Sequence, residues 1–108
     1  MTPGPNDELR SALGFAMKAG KIRSGAFAAE KAVKSGAAFV AVLDENASDN
    51  TKKHWSDICR TAGIPLVFAE DVGRAIGRES HMAACVTDKG FAAMIMRKAV
   101  KTQSNSGV

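Results

Sequence analysis

The side chains that could do chemistry are few. They are two histidines, His54 and His81, two cysteines, Cys59 and Cys85, and three adjacent acid pairs, Asp7-Glu8, Asp44-Glu45 and Glu70-Asp71. The cysteines lie 26 positions apart, form no C-x-x-C and have no histidine at zinc-finger spacing. Two buried thiols are therefore expected, with no metal site and no disulfide. Neither histidine has an acid or thiol arranged beside it as a triad. His54 follows two lysines and reads as a surface residue of a helix, whereas His81 falls in a loop, where an imidazole can meet a ligand. Adjacent carboxylates project in different directions, so these pairs read as helix caps or first-turn acids rather than acid–base couples. Asp44-Glu45 follows the end of a strand, where α/β enzymes keep their ligands, and is the one candidate for catalysis. The chain has no Walker A sequence, no G-x-G-x-x-G after a strand, no G-x-S-x-G and no H-E-x-x-H. No catalytic residue, cofactor or metal is expected.

The positive signal is electrostatic. The 108 residues carry a net charge of +4. Between Lys18 and Lys34, five cations (Lys18, Lys21, Arg23, Lys31, Lys34) face the single acid Glu30, and elsewhere ten cations and ten acids cancel. A local basic patch fits a polyanionic partner, although a solvated face has the same composition. Inside this segment runs Gly20-Lys21-Ile22-Arg23-Ser24-Gly25, followed by a helix starting near Ala26. Gly25 permits an unusual backbone turn and a close approach to a ligand. The first N–H groups of a helix point outward without intrahelical partners and attract phosphate.

The elements that must position these groups follow from periodicity. Asn6 or Asp7 caps a first helix with Leu9, Leu13, Ala16 and Met17 on one face, and Gly20 stops it. Lys21–Gly25 reads as a short edge strand. A second helix, about 26–35, turns Phe27, Ala28, Ala32 and Val33 inward and ends at Gly36. Ala38–Leu43 is an unbroken apolar run, a strand buried on both faces. Ser48 caps a third helix with Trp55, Ile58, Cys59 and Ala62 inward. Leu66–Ala69 is a strand, Asp71 caps a short helix over 72–77, and Ala83–Val86 is a further strand. Thr87 or Asp88 caps the last helix, with Phe91, Met94, Ile95 and Ala99 on its apolar face. This alternation predicts a three-layer α/β/α sandwich around a central mixed sheet of about four strands. A single domain is expected over 6–101, with flexible tails at 1–5 and 102–108. The N-terminal residues lack the basic start and apolar core of a signal peptide, and no apolar run approaches a membrane span. A cytoplasmic protein is the simplest expectation.

The chain as a whole resembles the ribosomal L7Ae/L30e superfamily of kink-turn RNA-binding proteins, in its bacterial YlxQ-like branch. The markers are Leu13-Gly14-Phe15-Ala16-Met17-Lys18-Ala19-Gly20-Lys21, Ser24-Gly25, Lys31-Ala32-Val33-Lys34-Ser35-Gly36, Asp49-Asn50-Thr51-Lys52-Lys53, Gly63-Ile64-Pro65, Gly73-Arg74-Ala75-Ile76-Gly77 and Thr87-Asp88-Lys89-Gly90-Phe91-Ala92. The markers fall in order along the chain, and the resemblance runs from about Leu9 to Lys98. The resemblance implies an α/β/α fold and an RNA site at the basic segment. In archaeal members the glycine matching Gly25 is followed by Asn-Glu, which read the bases of tandem sheared G·A pairs, and by a lysine matching Lys31. Here Phe27 and Ala28 stand in place of Asn-Glu, which removes the hydrogen-bonding groups that base-edge readout needs. Glu30 does not replace them, because two residues of helix turn it about 200° from Ala28.

A second family contact is the loop Arg78-Glu79-Ser80-His81-Met82, which in relatives packs against a flipped-out nucleotide. Arg78, His81 and Met82 offer charge, stacking and apolar contact there, while Met82 also fits the start of a buried strand. Phe27 keeps two readings: a core residue, or an exposed platform for an unpaired base. The expected RNA-binding set is Lys21, Arg23, Gly25, Ala26, Phe27, Lys31, Lys34, Arg78, Ser80, His81 and Met82. The expected partner is structured RNA, either ribosomal or another kink-turn-containing RNA, with an association to the ribosome and translation, and neither DNA nor a membrane. The alternative is a protein-interaction module on the same fold whose RNA site has decayed.

Overall fold

The computed structural model describes residues 5–103. Nine elements follow in the order α1 (Pro5–Lys18), β1 (Ile22–Ser24), α2 (Ala26–Lys34), β2 (Val40–Asp44), α3 (Asp49–Ala62), β3 (Leu66–Ala69), α4 (Val72–Ile76), β4 (Ala83–Val86) and α5 (Lys89–Gln103). The strands form one mixed sheet in the order β1-β4-β2-β3. β4 runs antiparallel to β1 and β2, and β2 runs parallel to β3. Pro5 opens α1 and Gln103 closes α5, so only residues 1–4 and 104–108 of the expected tails lie outside the described residues.

The period-two alternation of the central strands separates two cores. Val40 and Val42 of β2 point into one, with Leu9, Leu13 and Ala16 of α1, Val72 and Ile76 of α4, and Ile95 and Ala99 of α5. Ala41 and Leu43 point into the other, with Ala29, Ala32 and Val33 of α2 and Trp55 and Cys59 of α3. This is the three-layer α/β/α sandwich with a four-stranded mixed sheet, helices α1, α4 and α5 on one face and α2 and α3 on the other. Burial on both faces explains why β2 carries no polar residue before Asp44.

Local chemistry sets the boundaries. Proline is pre-organised for a first helical position, so α1 begins at Pro5 rather than at an Asn6 or Asp7 cap. Asp7 then lies in the first turn and pairs with Arg10. Gly20, at φ 75°, ends the run, with the Lys21 N–H donating back to the Ala16 carbonyl at 2.9 Å. Ser48 caps α3 by accepting from the Thr51 N–H at 3.2 Å, and Gly63 stops it in the left-handed region. Asp88 accepts from the Phe91 N–H at 2.9 Å at the start of α5.

Three further expectations are corrected here. The strand expected over 38–43 begins at Val40, with Phe39 41% exposed outside the sheet. Ala62, expected inward, is exposed as the last residue of α3. Asp71 does precede α4, but it sits at φ 52° and its side chain makes no capping bond. The cap comes from Asp44, whose Oδ2 accepts from the Val72 N–H at 3.1 Å.

Candidate nucleic-acid interface

Gly25 controls the passage from β1 into α2. Its backbone lies at φ 89° and ψ 153°, a region essentially reserved for glycine. Its N–H donates to the Ala83 carbonyl at 2.9 Å, which ties the turn to the start of β4. The side of Gly25 where a Cβ would stand is occupied by the imidazole of His81, 3.2–3.5 Å away. The absence of a side chain at Gly25 thus gives the His81 ring its place. The same ring is held by Ser24, whose hydroxyl lies 2.8 Å from His81 Nδ1. Two regions remote in sequence, the start of α2 and the loop before β4, thus meet at one end of the sheet.

The loop itself is shaped by α4. The Arg78 N–H donates to the Gly73 carbonyl at 2.7 Å, and the His81 N–H to the Arg78 carbonyl at 2.8 Å. A Cβ on Gly73 would lie 2.5–2.8 Å from the carbonyl oxygens of Arg78, Glu79 and His81, so the loop closes over this glycine because it has no side chain. Asp44 braces the loop from below. It is 6% exposed, its N–H donates to the Met82 carbonyl at 2.7 Å, and its carboxylate accepts from Asn46 and Val72 N–H groups. Both oxygens of the strand-end acid are thereby used to hold backbone. Arg78 and Ser80 are exposed, His81 is half-buried, and Met82 is 39% exposed rather than packed at the start of the strand.

The orientation of α2 departs from the expected one. Its inner face is Ala29, Ala32 and Val33, and Phe27 and Ala28 point outward. Phe27 is 83% exposed. Small residues on the inner face bring the helix close to the sheet, where the Cys85 Sγ–H donates to the Ala29 carbonyl at 3.7 Å. A phenylalanine two positions before Ala29 is turned about 200° away from it. Phe27 lines two open clefts. One, of about 680 Å³, is lined by Ala26, Phe27, Glu30, Lys31, Lys34 and Ser35. The other, of about 450 Å³, includes Arg23, Phe27, Ala28, Lys31 and Thr87. Arg23, Ala26, Phe27, Lys31 and Lys34 are thus gathered on one surface. Lys21 is exposed just before β1, and its carbonyl accepts from the Thr87 N–H at 2.9 Å.

The charge of that surface is moderated by Glu30. Its carboxylate accepts from Lys34 Nζ at 2.7 Å and pairs with His54 Nε2 at 2.6 Å. The Lys34 hydrogen bond, then that of His54, hold the Glu30 carboxyl below its ordinary value. His54 is a surface residue as expected, but it links α3 to α2. Both cysteines are free and buried, and burial pushes each thiol up to about 11.

Two residues that shape this region escape a reading of site chemistry from sequence: Ser24 and Gly73. Ser24 and Gly73 did fall within runs marking the family resemblance. Asp44 reads from sequence as a strand-end acid and a candidate for catalysis, whereas its carboxylate holds the Asn46 and Val72 N–H groups.

Helices layered on both sides of a short mixed sheet, with a glycine-entered helix and a glycine-seated loop meeting at its end, place the chain among small α/β/α sandwich domains. Within that class it belongs to the ribosomal protein L7Ae/L30e/S12e/Gadd45 family, whose model matches residues 7–96. It is 37% identical over 83 residues to the RNA-binding protein YlxQ of Bacillus subtilis, covering 74% of this chain and 83% of that one, in agreement with the YlxQ-like branch. A Bacillus halodurans protein of unknown function superposes with a TM-score of 0.79 at 29% identity, over 85% of this chain and 96% of the other. The Giardia lamblia 15.5 kD RNA-binding protein shares the fold, with a TM-score of 0.75 at 21% identity, over 96% of this chain and 92% of its own.

Proposed function

We propose that the chain is a non-catalytic RNA-binding protein that takes structured, kink-turn-like RNA on the surface formed by α2 and the 78–82 loop. The observation that carries the reading is the contact of His81 with Ser24 and Gly25, which fixes the loop beside the start of α2. One bent RNA could then touch both. Arg23 and Lys31 flank the exposed start of α2, with Lys21 nearby in sequence, and supply charge for phosphates. The RNA-binding descriptions of YlxQ and of the Giardia protein support the same class of partner. Ribosomal RNA is the natural source of such structures for a member of this family, and ribosome association is part of the proposal.

Phosphate neutralisation and loop contact carry the affinity here, because Phe27 and Ala28 offer no hydrogen bonds to base edges. The test is a titration against a kink-turn RNA and a matched duplex lacking the G·A pairs, at several salt concentrations. With about four phosphates neutralised, log K should fall against log salt with a slope of about −3 to −4. A preference for the kink-turn supports the specific reading, and equal salt-sensitive binding leaves a general RNA binder. Binding of neither RNA rejects the proposal in favour of a protein-interaction module.

A further inference from the structure

We propose that Phe27 is a base-stacking platform, so that the protein selects RNA by the presence of an unpaired nucleotide beside a helix. The proposal rests on the RNA-binding reading and goes beyond it by assigning a selecting residue and a substrate feature.

The exposure of Phe27 is the starting observation. At 83% it is the most exposed of the large hydrophobic side chains described, and the inner face of α2 is complete without it. Its immediate neighbours in the helix, Ala26 and Ala28, are small and exposed. The ring is open to solvent and lines both clefts.

The surroundings decide what the ring fits. Arg23 and Lys31 line one cleft, and Lys31 and Lys34 line the other. Among the described residues, the one acid lining either cleft, Glu30, is engaged by Lys34 and His54. An apolar protein partner gains little from an isolated ring set among cations. A nucleotide matches both features, since its base offers a flat π-face and its flanking phosphates offer negative charge. Bases inside a duplex have their faces covered, so the platform can be used only by a base that is bulged, looped or terminal. Every base has such a face, so selection is for the unpaired state rather than for sequence. This provides discrimination without hydrogen-bonding groups at positions 27 and 28.

The experiment compares two RNAs, a duplex with a single-nucleotide bulge and the same duplex fully paired, against the full chain. The wild-type protein should prefer the bulged RNA. Phe27→Ala should reduce that preference by about 5- to 150-fold, the range expected for losing one stacked base. Phe27→Trp should keep the preference, and its added indole fluorescence should be quenched by the bulged RNA alone. Arg23→Glu with Lys31→Glu should weaken binding of both RNAs. If the charge-reversal pair weakens both while Phe27→Ala keeps the preference, the RNA reading stands and the platform is rejected. If the wild type binds both RNAs equally, the platform is likewise rejected. If it binds neither, the platform is rejected, and the kink-turn titration alone decides the RNA reading.

Discussion

The hydroxyl of Ser24 lies 2.8 Å from Nδ1 of His81, across 57 positions of sequence. This contact joins the last residue of edge strand β1 to the loop that precedes β4. Antiparallel pairing brings the two backbones together, with Ser24 opposite Ala84. The side-chain bond then fixes the ring over Gly25. One serine, one histidine and one glycine, none of which lies in a core, thus tie the loop to the start of α2.

Replacing Ser24 with alanine should loosen this junction without unfolding the domain. A half-buried ring nitrogen loses its partner, and the expected loss of stability is about 1 kcal/mol, measured by urea unfolding. RNA affinity should fall as well, because the loop is no longer held beside α2. Ser24→Thr keeps the hydroxyl in a strand position that tolerates a β-branched side chain, and it should recover both properties. Equal stability of Ser24→Ala and wild type would mean that the backbone alone holds the loop.

Gly73→Ala tests the other support of the loop. Alanine is the better helix former by about 1 kcal/mol, so an open site would be stabilised. Here the added methyl would meet three backbone carbonyls at 2.5–2.8 Å, and backbone cannot move aside as a flexible side chain can. The expected net result is a loss of about 1–3 kcal/mol, as for overpacking in a tight core. Amide hydrogen exchange should localise the change to residues 77–82. A stability equal to or above that of the wild type would show that the loop has room to spare.

The sequence makes the order of elements legible because its signals are local. Glycines 20, 63 and 77 mark helix ends, Ser48 and Asp88 mark helix starts, and the unbroken run before Asp44 marks a strand covered on both faces. The basic segment was legible for the same reason. The facing of α2 was not. Ala26-Phe27-Ala28-Ala29 is apolar throughout, so periodicity cannot choose a face, and the bulk of Phe27 suggests the wrong one. The fit of small residues against the sheet at Ala29 and Ala32 decides it. The Ser24–His81 and Asp44–Val72 contacts bridge 57 and 28 positions and arise only once the sheet has assembled.

Asp44 should behave as a structural acid. Its carboxylate satisfies the Val72 N–H at the start of α4 and the Asn46 N–H of the turn after β2. Asp44→Ala leaves both donors without that acceptor in a site that is 6% exposed. The expected cost is about 2–4 kcal/mol, from two bonds to a charged group. Asp44→Asn retains one side-chain oxygen and should lose less. Chemical denaturation of the two variants checks the order. An alanine variant as stable as the wild type would release Asp44 from this role and reopen its reading as a functional acid.

Glu30 should restrain RNA binding while adding slightly to stability. Its hydrogen bonds from Lys34 and His54 lower its pKa in the folded chain. A lowered carboxylate pKa stabilises the fold at pH values above the unfolded value near 4.5, and that contribution is lost as pH falls through the folded value. The pair is close to solvent, so the stability involved is small, about 0.3–0.5 kcal/mol for an exposed i,i+4 pair. The effect on a polyanion should be larger. Glu30→Gln removes a negative charge from a cleft lined by Lys31 and Lys34 and frees the Lys34 ammonium for a phosphate. Affinity should rise at low salt, the log–log salt slope should steepen by about 0.7–0.9, and the gain should vanish as salt increases. Weaker binding by Glu30→Gln at every salt concentration would reverse the assignment. The carboxylate would then be accepting a hydrogen bond from the RNA itself, and position 30 would take over part of the base reading that positions 27 and 28 cannot perform.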